Sequence, residues 1–281
     1  MKNIAKPMVP GNKHKEIPGN PSTAKSSKAQ LRNEATVDSL KVLTLEQWKF
    51  WKENGYVVVK NAVSPEQAKK TAAFLWEFEE KDPNDKKTWY TKARAEIKMK
   101  ELAGTGMVEV YNNQHLWNNR QSQRVYDAFT DIWGTERLWV TIDRANLNFP
   151  MCPGYEYKGF IHWDYDPETK PQNVQGVLAL ADQTDKDMGG FQCIPWLYKN
   201  YDTWKLTQPE DRDRFKPDVA GLEDKLVKVV MEAGDLLIFN SSQPHGIRPN
   251  TSEDQVRIAQ YISMMPAQKE DKALRSWRTN S

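Results

Sequence analysis

Cysteine and histidine are scarce in this chain of 281 residues. Two cysteines, Cys152 and Cys193, cannot by themselves build a disulfide framework or a cysteine-rich zinc site. They read as reduced thiols, and the chain as cytoplasmic. No apolar run approaches the roughly 18 residues of a membrane-crossing helix. The first residues have neither the apolar segment of a secretory signal nor the Arg-rich texture of a mitochondrial one. The last three, Thr279-Asn280-Ser281, are not a peroxisomal address. An excess of one charge is missing too: 40 Lys+Arg face 38 Asp+Glu, for a net +2. Nucleic acid and membrane surfaces are therefore not expected partners. The slight excess sits at the front, where Lys2, Lys6, Lys13, Lys15, Lys25, Lys28 and Arg32 face only Glu16, Glu34 and Asp38. Four histidines remain, His14, His115, His162 and His245, and any site needing imidazole draws on them.

What is there divides into three parts. Residues 1–42, with Pro7, Pro10, Pro18 and Pro21 among Gly, Ser, Asn and Lys, read as a flexible tail that contains His14. Residues 43–265 read as one domain and 266–281 as a C-terminal tail. Thr44-Leu45-Glu46-Gln47 is a capping box, with Leu45, Trp48 and Trp51 on one helical face until Asn54-Gly55. Tyr56–Val59 is a β-branched strand, and Ser64-Pro65-Glu66-Gln67 opens a second helix running to Asp82-Pro83. The Lys-rich stretch 84–103 reads as solvated. Residues 112–120 look too polar for core, and 121–133 look helical, with Val125, Phe129 and Trp133 in register.

Strands dominate from Leu138. The expected ones are Leu138–Phe149, Val174–Leu180, a hairpin of Leu226–Met231 and Leu236–Phe239 about Ala233-Gly234-Asp235, and Val256–Met264. Residues 199–218 read as a polar lid or surface loop. Helices first and then about eight strands predict a mainly β, antiparallel double sheet with a helical layer packed on it.

The chemistry centres on Phe160-Ile161-His162-Trp163-Asp164. In a strand, positions i and i+2 share a face, so His162 and Asp164 can aim an imidazole and a carboxylate at one point. That is two thirds of a 2-His-1-carboxylate triad, which suits iron(II) with open positions. His245, in Gln243-Pro244-His245-Gly246, follows one strand and precedes another, and so supplies a third ligand. Trp163 should face away from the metal. Arg257, flanked by apolar strand residues, is costly to bury unless it meets an anion, and its planar fork suits a carboxylate. Arg248 is a rival anchor expected in the loop after His245. Two other classes fit some of these residues. A non-catalytic jelly-roll binding or sensor protein would keep the scaffold. A zinc hydrolase would use the same ligands but lacks a Glu beside a His and leaves Arg257 unexplained.

Together these motifs resemble the phytanoyl-CoA dioxygenase family of iron(II)/2-oxoglutarate oxygenases. The similarity runs through Leu43–Val59, His162-Trp163-Asp164, Gly189–Pro195, and Gly234–Phe239 with His245-Gly246 and Arg257. It implies a double-stranded β-helix (jelly roll, cupin-like) with N-terminal helices. Iron(II) is then held by His162, Asp164 and His245, and 2-oxoglutarate on the metal has its distal carboxylate on Arg257. Dioxygen converts it to succinate and carbon dioxide while a small-molecule substrate is oxidised. Asp164, where halogenating relatives have a small residue, implies hydroxylation, desaturation or demethylation. By the same resemblance Asn146 and Asn148, with Gln175 on the next strand, are candidates to hydrogen-bond the cosubstrate. Arg144 on the same face, Trp196, Tyr198 and His115 are candidates around the substrate. Trp196 and Leu197-Tyr198 replace the family's Gly and Ser-His after Ile-Pro, so a fatty acyl-CoA substrate is not carried over.

Overall fold

The computed structural model describes residues 29–91 and 106–268 and the isolated positions 270, 272 and 276. Residues 1–28 of the expected tail, 92–103 of the Lys-rich stretch and most of the chain beyond 268 lie outside the described residues. Residues 29–42, expected to be loose, are largely exposed but anchored at several points. Leu31 is buried, and Arg32 N donates to Ile132 O (3.2 Å). The amides of Lys41, Val42 and Leu43 all donate to the Asp131 carboxylate at 2.8 Å, a concentration of bonds that orders this segment.

Helices α1 (Leu45–Asn54) and α2 (Pro65–Phe78) begin at their caps. Thr44 Oγ1 accepts from Gln47 N (3.1 Å) while Thr44 N donates to Gln47 Oε1 (2.9 Å), and Ser64 Oγ accepts from Gln67 N (3.1 Å). After the short α3 (Lys86–Trp89) come α4 (Gln114–Arg120) and α5 (Gln123–Trp133). The polar texture of α4 does not keep it out of the core, because its polar groups find partners. Asn119 Nδ2 donates to Gln260 Oε1 (2.8 Å) and Thr71 Oγ1 (3.0 Å), and Arg120 donates to the Tyr111 and Asp143 carbonyls (2.9 and 2.8 Å).

The larger sheet is antiparallel. Its order is β1 (Tyr56–Val59), β8 (Leu236–Asn240), β5 (Val174–Ala179), β10 (Arg257–Tyr261), β4 (Ala145–Asn148) and β2 (Met107–Val108). The smaller sheet is β7 (Val227–Lys228), β6 (Met188–Cys193) and β9 (His245–Asn250), and β3 (Leu138–Val140) pairs with β11 (Met264–Pro266). Alternation gives the larger sheet two faces. Val57, Val59, Leu178, Leu236, Ile238 and Ile258 pack under the helices in one cluster with Trp51, Leu75 and Phe129. Val177, Ala179, Leu237, Phe239 and Ala259 point the other way and meet Phe191 and Cys193 of the smaller sheet. The result is a double-stranded β-helix with helices on the outer face of its larger sheet. No described helix is long and apolar enough to cross a membrane.

Three strand expectations change. Leu138–Phe149 is broken into β3 and β4, which lie in different sheets, and Val256–Met264 is broken between β10 and β11. The expected hairpin about Gly234 is a link between sheets, since β7 pairs with β6 whereas β8 pairs with β1 and β5. Residues 199–218 begin inside α6 (Pro195–Trp204), and the segment beyond it packs behind the metal motif rather than over it. Trp163 N donates to Phe215 O (2.8 Å), and Val219, Leu222 and Leu226 pack on a cluster of Trp163, Ile194, Leu197 and Trp204.

Candidate active site

Backbone pairing brings the two histidines together. His162 N donates to His245 O (2.8 Å) and His245 N to His162 O (3.0 Å), so the pair stands directly opposite across an antiparallel bridge. Such pairing needs Gly246: a Cβ there would lie 1.7 Å from Phe160 O, so any side chain would push the two segments apart. The imidazole centroids are 4.7 Å apart. Asp164, two residues along, lies on the same side. Its Oδ1 is 3.2 Å from His162 Nε2 and its Oδ2 is 3.4 Å from His245 Nε2. The three ligand atoms lie within 4.8 Å of one another, a set able to hold one metal ion.

The surroundings fix these side chains. His245 Nδ1 lies 2.9 Å from Gln243 O, which assigns the proton to Nδ1 and leaves Nε2 as ligand. Phe191 stacks on the His245 ring (5.7 Å, 12°) and Phe239 packs against it at 4.3 Å. Gln175 Nε2 donates to Asp164 Oδ2. Burial alone would push the Asp164 carboxyl up. The bonds and charges of His162 and His245 outweigh it and hold the group well below the ordinary carboxylate range. Trp163 is fully buried, and its Nε1 donates to Ser242 O (3.0 Å), which ties the His162 segment to the loop before His245.

Arg257 lies in the interior between the sheets, fully buried. Its Nη1 donates to Asn146 Oδ1 (2.7 Å) and its Nε to Gln183 Oε1 (3.3 Å), while its Nη2 is buried without a partner. Asn148, opposite Arg257 in register, has a buried, unpartnered Oδ1. A guanidinium with one orphaned N–H pair fits a carboxylate ligand, and the His-Asp-His set fits a divalent metal. Arg248 is in strand β9, not in a loop. Its nitrogens donate to the carbonyls of Lys186 (2.9 Å), Phe191 (2.7 Å), Val229 (3.1 Å) and Asp185 (3.4 Å). Burial, reinforced by the charge of Arg257, pushes Arg248 down to about 10. The Gly189-Gly190 pair makes room here: Cβ atoms would lie 2.9 Å from Asn148 Oδ1 and 3.1 Å from the Arg248 guanidinium, and both residues have positive φ (81° and 104°).

The other expected residues divide. Asn146 holds Arg257 and Gln175 holds Asp164, so each touches a site residue. Arg144 is half-buried, with Nε 3.1 Å from Asp143 Oδ1. Three candidates lie elsewhere. The ring of His115 packs on Phe74 (6.1 Å) in the helical layer. Tyr198 packs under α1, where a Cβ on Gly55 would meet its ring at 2.8 Å. Trp196 is on the exposed side of α6. Gln183 carries no local signal, because a polar residue after an apolar strand reads as a turn.

The phytanoyl-CoA dioxygenase model matches residues 51–259. The chain belongs to the phytanoyl-CoA dioxygenase family. It is thereby of the iron(II)/2-oxoglutarate-dependent oxygenase type. Ava biosynthesis cluster protein O of Aspergillus versicolor is 27% identical over 247 residues, 79% of each chain. HygX from Streptomyces hygroscopicus, solved with nickel and 2-oxoglutarate, is similar at a TM-score of 0.56 and 12% identity, over 81% of this chain and 89% of that one. SnoN, an alpha ketoglutarate dependent epimerase from nogalamycin biosynthesis, is similar at 0.55 and 15%, over 79% and 80%. At these identities the solved structures share the family fold.

Proposed function

We propose that this member of the phytanoyl-CoA dioxygenase family hydroxylates a small molecule, with iron(II) on His162, Asp164 and His245 and 2-oxoglutarate anchored by Arg257. The observation that carries the reading is a metal-ligand triad, His245 buried and His162 and Asp164 half-buried, in the same barrel as a buried guanidinium with an unpartnered Nη2. Bound iron(II), 2-oxoglutarate and dioxygen supply the oxidising power, with release of succinate and carbon dioxide.

The chain's own groups do the rest. His162, Asp164 and His245 would hold the metal through one ligand atom each. Gln175 donates to one Asp164 oxygen and limits how the carboxylate turns. The buried wall of Phe191 and Phe239 keeps water from the His245 side. Asn146 and Gln183 aim the Arg257 fork. Phe160, 45% exposed with its ring 4.7 Å from that of His162, is placed to meet an apolar part of the substrate.

Asp164, at the position that a small residue takes in halogenating relatives, argues against halogenation; of the outcomes that remain, hydroxylation, desaturation and demethylation, hydroxylation is the one proposed. The substrate is read as a natural-product intermediate. HygX has been solved with hygromycin B, and the Aspergillus relative is named for a biosynthesis cluster, which supports that class. The test is succinate formation from 2-oxoglutarate in air with added iron(II) and a panel of such metabolites. His162→Ala and His245→Ala are expected to lower it by about a thousandfold or more, since each removes a metal ligand. Iron-independent succinate release, or full activity in His162→Ala, overturns the reading.

A further inference from the structure

The interior face of β10 carries Arg257, Ala259 and Tyr261 in alternation. Arg257 does not point straight across its own strand. Its Nη1 reaches Asn146, whose register partner on β10 is Ala259, so the guanidinium lies towards the Ala259 level. Ala259, fully buried, adds only a methyl group to this face. Two residues further along the same face is Tyr261, whose hydroxyl is buried and has no partner. Two orphaned donors, Arg257 Nη2 and Tyr261 Oη, thus flank one small residue inside the barrel. A buried hydroxyl without a partner costs stability, and such a cost is recovered when a ligand supplies an acceptor.

The position of Tyr261 along the barrel also fits. It pairs with Val177 of β5, and two residues away on the same face of β5 is Gln175, which donates to Asp164. Tyr261 is therefore between the level of Arg257 and that of the metal ligands. Tyr157 is on the segment that leads into the metal motif. Its ring is 6.0 Å from Phe160, which packs on His162. Burial raises its phenol, Tyr261 raises it further, and the charge of Arg257 opposes them, which places Tyr157 within electrostatic reach of both.

We propose that Tyr261 and Tyr157 join Arg257 in a three-donor cage over Ala259 that receives the distal carboxylate of 2-oxoglutarate, with Tyr261 Oη as the principal phenolic donor. This rests on the reading of the barrel as a 2-oxoglutarate site, and it adds the two tyrosines as binding residues. A carboxylate presents up to four acceptor directions, so it accommodates a fork and two phenols together.

The test is calorimetric titration of the full chain, loaded with manganese(II) in place of iron, with 2-oxoglutarate and, separately, with pyruvate. Pyruvate has the 2-oxo acid head but no distal carboxylate. Tyr261→Phe keeps shape and removes one donor, so its Kd for 2-oxoglutarate is expected to rise about tenfold while its Kd for pyruvate stays unchanged. Tyr157→Phe is expected to act in the same direction with about a threefold rise. Unchanged 2-oxoglutarate affinity in Tyr261→Phe overturns the proposal, as does an equal loss for pyruvate, which would mark a general disturbance of the pocket. Arg257→Met in the same titration separates the two readings. If it loses 2-oxoglutarate binding and Tyr261→Phe does not, only the tyrosine cage falls; if it binds as the wild type does, the 2-oxoglutarate site itself falls with it.

Discussion

Arg248 and Arg257 are both fully buried, both on strands of the barrel, and close enough for one charge to act on the other. Their surroundings differ in one respect. Arg248 meets four backbone carbonyls, from Asp185, Lys186, Phe191 and Val229, and so stitches the loop before β6 to β6 and the end of β7. Arg257 meets two side-chain amides and keeps Nη2 bare. A buried guanidinium is tolerated when its donors are matched. Arg248 is matched by the fold itself, whereas Arg257 keeps a donor that, in the proposed reading, an anion matches. Burial marks both as exceptional, and the partner list separates structure from ligand recognition.

Substitution should pull the two apart. Arg248→Met leaves buried carbonyls without donors and is expected to cost about 3–5 kcal/mol of unfolding free energy. Denaturant melts check this, and a loss under about 1 kcal/mol would show that its bonds are dispensable. Arg257→Met is expected to do the reverse. Its 2-oxoglutarate affinity falls about a hundredfold, while stability changes by no more than about 1–2 kcal/mol because an under-partnered buried cation has been removed. Ligand linkage sharpens the contrast. With manganese(II) present and 2-oxoglutarate at about 100 times the wild-type Kd, the wild type gains about 2.7 kcal/mol, and Arg257→Met only about 0.4 kcal/mol at the same concentration. The smallest expected effect is that of Gln183→Leu. It frees Arg257 Nε and should weaken 2-oxoglutarate by about fivefold, near 1 kcal/mol, without the collapse expected of Arg248→Met.

The same contrast shows what a sequence exposes. His162, Asp164 and His245 were legible because strand alternation puts i and i+2 on one side, and so few histidines leave little choice. The capping boxes at Thr44 and Ser64 were legible because capping is local. Arg248 was not: whether the chain after His245 is strand or loop depends on its pairing with β6, which no local pattern records. The segments on either side of Gly234 carry hairpin patterning, yet each pairs elsewhere, because a turn that links two sheets has the same residues as one that links two neighbours. Asn119 and Arg120 of the polar helix α4 are buried because Gln260, Tyr111 and Asp143 face them. Trp163 was placed away from the metal correctly, but its bonds to Phe215 and Ser242 arise from segments over 50 residues distant. Those partners turn the expected lid into a brace behind the metal motif.

The central claim is that one centre unites the His162-Asp164-His245 triad with 2-oxoglutarate. The most direct measurement is the visible absorption of the anaerobic iron(II) protein as 2-oxoglutarate is added. The account predicts that a metal-to-ligand charge-transfer band grows in the wild type, is absent in His162→Ala, and needs about a hundredfold more 2-oxoglutarate in Arg257→Met. No band in the wild type, or the same band at the same concentration in all three proteins, would contradict it.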